Sequence, residues 1–147
     1  MSNYAGHRNA GIVGAIVGAV ALYYGRTYVH ITYQEIGLSA AIIFIFSLFP
    51  DIDIKSAPSK VFYTIVAIIL GSCYYTKQYA IGNLLGLIAI IPQITKHRGF
   101  FHHPITAFGL PASVFYIHYV EVIELKLAIL IYISAVFGYL IHLIKDH

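Results

Sequence analysis

Three short stretches of this chain carry side chains able to hold a cation or move a proton. Phe49-Pro50-Asp51-Ile52-Asp53 sets two carboxylates one residue apart, directly after a proline. Carboxylates so spaced can share or bridge cations. Beside hydrocarbon an ionised carboxylate is costly unless paired, which makes a cation its natural partner. The competing reading is a pair of acids that caps a turn and faces water. His97-Arg98-Gly99-Phe100-Phe101-His102-His103-Pro104 packs three histidines into seven residues. Gly99 lets the chain fold back so that imidazoles on both sides converge, and the planar fork of Arg98 suits a phosphate or carboxylate oxygen. Its competing reading is an interfacial loop whose basic residues meet lipid headgroups. His142-Leu143-Ile144-Lys145-Asp146 places an imidazole and a carboxylate four residues apart. On a helix they share one face, where both reach one ion or the acid orients the ring. His7 stands open between a fourth ligand position and a solvated terminal residue.

The elements that must position these groups follow from composition. Of the 147 residues, 59% are hydrophobic and 10% charged, and mean hydropathy is +0.79. A water-soluble domain carries about 25% charged residues to wet its surface. Lipid is therefore the expected solvent. Apolar segments recur at residues 9–24, 33–49, 60–75, 79–95, 104–120 and 122–144, near the ~17–25 residues that a spanning helix needs. The first and second are short enough for partial or re-entrant insertion. Backbone groups in lipid are satisfied within a helix, and no alternating barrel pattern is present. The expected fold is an all-α polytopic transmembrane bundle of four to six segments, in a single domain over residues 1–147. Tyrosines gather at the segment ends, among them Tyr23, Tyr24, Tyr28, Tyr74, Tyr75 and Tyr79, as rings with a wet tip do at headgroup depth. Residues 10–24 resemble a signal-peptide core, but the apolar character continues to the last residue, so a retained first helix is expected. Cys73 lies in an apolar run and reads as a small buried or lipid-facing apolar residue. A net charge of +3 without a basic stripe argues against nucleic-acid binding.

Counting crossings gives the sidedness. With six helices, His7, Asp51, Asp53, His97, Arg98, His102, His103, His142 and Asp146 all fall on the face where the chain starts. Glu35, Glu121 and Glu124 fall on the other face, as do His30 and His118, which read as interfacial residues. The first face also holds Arg8, Lys55, Lys60, Lys96, Arg98 and Lys145, against Arg26, Lys77 and Lys126 opposite. That excess of cations puts both termini in the cytoplasm.

Pro50-Asp51-Ile52-Asp53, His97-Arg98-Gly99-Phe100-Phe101-His102 and His142-Leu143-Ile144-Lys145-Asp146, preceded by His7, together resemble the YdjM-like membrane-bound metal-dependent hydrolases. The likeness covers nearly the whole chain in order and spacing. It implies a small helical protein of the inner membrane and, through a distant likeness to zinc-dependent phospholipase C, hydrolysis of a phosphoester. On this reading Asp51, Asp53, His97, His102, His142, Asp146 and His7 bind divalent metal. Arg98, Asp53 and His103 are the candidate catalytic groups. Mixed imidazole and carboxylate ligation suits Zn²⁺ or Mn²⁺ better than Mg²⁺. A membrane lipid, or a phosphoester resembling its headgroup, is the expected substrate. The rival classes are a metal or proton transporter and a non-catalytic metal-binding membrane protein. A transporter concentrates ionisable groups near the bilayer midplane, whereas here they sit at segment ends.

Overall fold

The computed structural model describes residues 4–51, 57–94, 101, 103–120 and 123–146. Among these there are α-helices and single 3-10 turns, and no strand. The helices are α1 (Tyr4–Val29), α2 (Tyr33–Leu48), α3 (Ala57–Tyr75), α4 (Tyr79–Ile94), α5 (Pro104–Gly109), α6 (Val114–Tyr119) and α7 (Leu125–Asp146). Three stretches are long and apolar enough to cross a membrane: Arg8–Val29, Tyr33–Asp51 and Leu125–Lys145. At about 1.5 Å per residue the 22-residue α7 is about 33 Å long, against a hydrocarbon core of about 30 Å. Ile68 and Leu87 stand in mid-helix with 65% and 64% of their surface exposed. Such outward-facing aliphatic side chains fit an acyl-chain surround better than water.

The expected segment boundaries need three corrections. The first helix is longer than residues 9–24 at both ends, both it and the second are long and apolar enough to span, and His7 lies within α1 rather than before it. The helix runs on through Gly25-Arg26-Thr27, where the Arg26 guanidinium lies over the rings of Tyr23 and Tyr33 at 4.7 and 4.6 Å. That contact accommodates the charge without a turn. The fifth segment, expected as one helix over 104–120, is divided at Pro111 into α5, a 3-10 turn at Pro111–Ser113, and α6. Proline offers no N–H to the carbonyl of residue 107, so the chain keeps a helical course through Leu110 but tightens its hydrogen bonding. The apolar parts of α3 and α4, Phe62–Tyr75 and Tyr79–Ile91, are the short ones.

Local chemistry sets the turns. Thr32 caps α2: its hydroxyl accepts from Glu35 N at 3.2 Å, while the Glu35 carboxylate accepts from Thr32 N at 2.7 Å. The reciprocal pair satisfies two end donors at once. Helix α3 ends with Gln78 N donating to Cys73 O (2.7 Å) and Lys77 N to Tyr74 O (3.2 Å), around a left-handed Lys77 at φ 60°.

Helices α1, α2 and α7 pack on one another, α3 pairs with α4, and α5 and α6 lie against α7. Their directions follow from contacts at the two ends. Lys126, at the start of α7, donates to the His30 carbonyl and pairs with Glu35 Oε1, each at 2.9 Å. The far end of α7 meets the far end of α2. The two helices are therefore parallel, with α1 antiparallel to both. Gly14 and Gly18 of α1 let the helix approach Ile141 of α7 and Ile43 of α2 closely, as small residues do between membrane helices.

Candidate metal centre at one end of the bundle

The seam between α2 and α7 positions the site. At Gly138 an added Cβ would collide with the backbone carbonyl of Ile43. Glycine thus sets how near the two helices come. One turn further along both, the imidazole of His142 reaches the backbone of Ser47, with Nδ1 at 2.9 Å from the carbonyl oxygen. The same offset of 95 residues relates both pairs. One turn the other way it relates Ser39 to Ser134, which are both buried. The next turn outward relates Asp51 to Asp146.

The carbonyl of Ser47 is available because α2 ends there. The last carbonyls of a helix have no intrahelical donor, and in the 3-10 turn Phe49–Asp51 the donor three residues on would be Pro50, which has no N–H. A carbonyl only accepts, so Nδ1 of His142 carries the proton in that bond. In the neutral ring Nε2 then holds the lone pair. Nε2 lies 3.6 Å from Asp51 Oδ1. His142 is 1% exposed, while the Asp51 side chain keeps 27% of its surface open. The pair has a dry side and a wet side.

Phe101, from the histidine-rich stretch, comes to the same end. Tyr139, one turn before His142 and fully buried, donates its hydroxyl to the Phe101 carbonyl at 2.7 Å. The rings of Phe101 and Phe49 stand 5.7 Å apart, edge to face, and Phe49 also meets Phe62 and Tyr139. Ala107 of α5 and Leu143 complete this cluster, with Phe62, Tyr63, Ile88 and Ile91 of α3 and α4 packed around it. One described residue from each of the three motifs is thereby fixed in one core: Phe49 near Asp51, Phe101 next to His102 in sequence, and Leu143 next to His142.

Of the candidate ligands, Asp51 and His142 are brought together. Asp53, His97 and His102 lie outside the described residues, as does Arg98. His7 and Asp146 are placed on their helices, in the first turn of α1 and the last turn of α7. His103 is exposed and caps α5, its Nδ1 accepting from Ile105 N at 3.3 Å. Among the described residues no three His, Cys, Asp or Glu side chains converge. Sequence reasoning missed Ser47, which acts through its backbone and so carries no side-chain mark. It also missed Tyr139, a tyrosine away from the segment ends where the others gather. At the opposite end His118 Nδ1 lies 2.9 Å from the Ile123 carbonyl, joining α6 to the start of α7.

A bundle of apolar helices, three of them long enough to cross a bilayer, defines a helical membrane protein. The family model described as YdjM inner membrane protein matches residues 7–147, and the chain belongs to that family. No curated protein and no solved structure matches it.

Proposed function

We propose that this protein is a metal-dependent hydrolase of the inner membrane, acting on a phosphoester of headgroup type at the cytoplasmic face. The observation that carries the proposal is the His142–Asp51 pair. The Ser47 carbonyl holds the ring so that Nε2 and a carboxylate oxygen face each other at 3.6 Å. Ligating histidines characteristically donate their other nitrogen to a carbonyl or carboxylate in this way. Two ligand atoms bonded to one zinc ion at about 2.1 Å, at a tetrahedral angle, stand about 3.4 Å apart. The observed separation fits that donor set. Asp53, His97, His102, Asp146 and His7 are the further ligands proposed, with Zn²⁺ or Mn²⁺ the ion suited to mixed nitrogen and oxygen donors.

A divalent ion would supply a bound water with its pKa lowered toward ~7. The chain's own groups do the rest. Arg98 holds the phosphate oxygens as charge builds on them. Asp53 and His103 are the proposed proton carriers. The aromatic wall of Phe49, Phe101 and Tyr139 excludes water from the buried side of the pair. The cation excess on the face holding Lys60 and Lys145 supports a cytoplasmic location, with both termini inside.

The test is elemental analysis of the detergent-purified chain, followed by a phosphoester-hydrolysis screen on phospholipids. Wild type should retain a divalent metal. Asp51→Asn and His142→Ala should each weaken retention by at least the ~10–100-fold that loss of an outer partner costs, and abolish turnover while leaving helicity intact. Metal held without turnover would replace the enzyme by a clamp that ties α2 to α7. Wild-type protein free of metal would end the proposal.

A further inference from the structure

A groove of about 610 Å³ runs between the first half of α1 and the last turns of α7. It is separate from the metal centre. His142 points into the α2 seam, and the residues of α7 that line the groove, Phe137, Ile141, Ile144 and Lys145, lie about a third of a turn around the helix from it. The α1 wall is Ala10, Val13 and Gly14, with Asn9 and Gly6 toward its outer end. From Phe137 to Lys145 is eight residues, about 12 Å along the axis. Lys145 lies in the last turn of a helix long enough to span the bilayer, so it stands at headgroup depth, and Phe137 lies well inside the hydrocarbon.

We propose that this groove seats one anionic phospholipid, its phosphate against Lys145 and Asn9 and the upper part of an acyl chain along Val13, Phe137 and Ile141. The order of chemistry along the groove matches the order along such a lipid. At the rim there is an ammonium and an amide, and among the described lining residues no acid. One turn deeper the walls are entirely apolar. Val13 is 60% exposed and Ile144 76%, so the groove opens sideways to the bilayer, from which a lipid can enter without crossing the protein. Lys145 is the only charged lining residue described, and its sign selects an anionic headgroup over a zwitterionic one. Near a membrane surface one such cation is worth about fivefold in affinity. The seat depends on neither metal nor turnover.

The experiment is native mass spectrometry of the full chain in detergent, titrated with phosphatidylglycerol and with phosphatidylcholine of the same acyl chains. Wild type should bind a first phosphatidylglycerol about fivefold more tightly than phosphatidylcholine. Lys145→Gln should remove that preference. Val13→Trp, at a position exposed enough to take the ring without disturbing the packing, should fill the groove and cut uptake of both lipids. Asp51→Asn, which tests the metal centre, should change none of these. Equal binding of the two lipids by wild type, a preference that survives in Lys145→Gln, or unchanged uptake by Val13→Trp would each overturn the assignment.

Discussion

Replacing Gly138 by alanine tests the seam on which the site is built. The new Cβ would fall inside the contact shell of the Ile43 carbonyl oxygen, with the Ile43 carbonyl carbon and Cα both at 3.0 Å. These are backbone atoms, so no rotamer change relieves the clash and the helices must separate. Carbon–carbon contacts settle near 3.5–4.0 Å, so α7 must move off α2 by roughly half an ångström or more. Overpacking of this kind costs about 1–3 kcal/mol, and a rigid neighbour puts Gly138→Ala at the upper end. Alanine regains about 1 kcal/mol of helix propensity. The net expectation is a loss of about 2 kcal/mol. Gly37, on α2, is the internal control: an added Cβ there meets nothing within 4 Å, and Gly37→Ala should gain about 1 kcal/mol from propensity alone. The two substitutions are chemically identical yet should differ by about 3 kcal/mol, more than a hundredfold in the unfolding constant. Unfolding by sodium dodecyl sulfate in mixed micelles, followed by circular dichroism because the chain has no tryptophan, measures the gap. The same displacement stretches the 2.9 Å bond from His142 to Ser47, so metal retention should fall in Gly138→Ala and stay unchanged in Gly37→Ala. Equal stability of the two variants would refute the close approach of α2 and α7.

Two further experiments probe the ends of the bundle. Tyr139→Phe keeps the ring in the aromatic core but removes the donor to the Phe101 carbonyl. It should cost about 1–3 kcal/mol and speed amide exchange around Phe101, read by mass spectrometry; unchanged exchange there would show that the hydroxyl does not hold the loop. At the far end, a double-mutant cycle on Lys126→Ala and Glu35→Gln should give a small favourable coupling, because the Lys126 side chain is 44% exposed and water screens the pair. The coupling should shrink as salt is raised from low to molar concentration, and a coupling indifferent to salt would mean that the pair is not screened as its exposure implies.

The end of the bundle where two of the candidate groups meet could be read from the chain by counting apolar segments, because successive spanning helices would reverse direction. Asp51 and His142, 91 residues apart, were placed on one face by that count, and they meet in space. The helical class could be read from composition for the same kind of reason: hydrocarbon leaves the backbone few choices. The division at Pro111 was written in the sequence too, but an apolar run on either side outweighed it, and the chain keeps its helical course through the proline. The contact between His142 and the Ser47 carbonyl had no such mark. Every residue presents a carbonyl, and only the ending of α2 before Pro50 makes this one available. The role of Gly138 was equally hidden, since a glycine in a membrane helix signals close approach without naming the neighbour. That neighbour depends on register, which hydropathy does not encode.

Register also explains why the chemistry sits where it does. Parallel helices in a fixed offset bring matched turns together along their whole length, so the groups held in register at one end depend on the spacing set in the middle. Small residues at Ser39, Ser134 and Gly138 lie along that seam where the helices are apolar, and the aligned turns then present His142 to Ser47. At the other end Lys126 ties α7 to the turn before α2, and so resists sliding of one helix along the other. A slip of a single residue, about 1.5 Å of rise and 100° of rotation, would turn His142 out of the seam. The clip at the Glu35 end and the ring at the Asp51 end therefore stand or fall together. This coupling predicts that Lys126→Ala should lower metal retention at a site on the far side of the bilayer, with no change in any residue near it. Elemental analysis of that variant showing wild-type metal content would mean that the middle of the seam holds register without the clip.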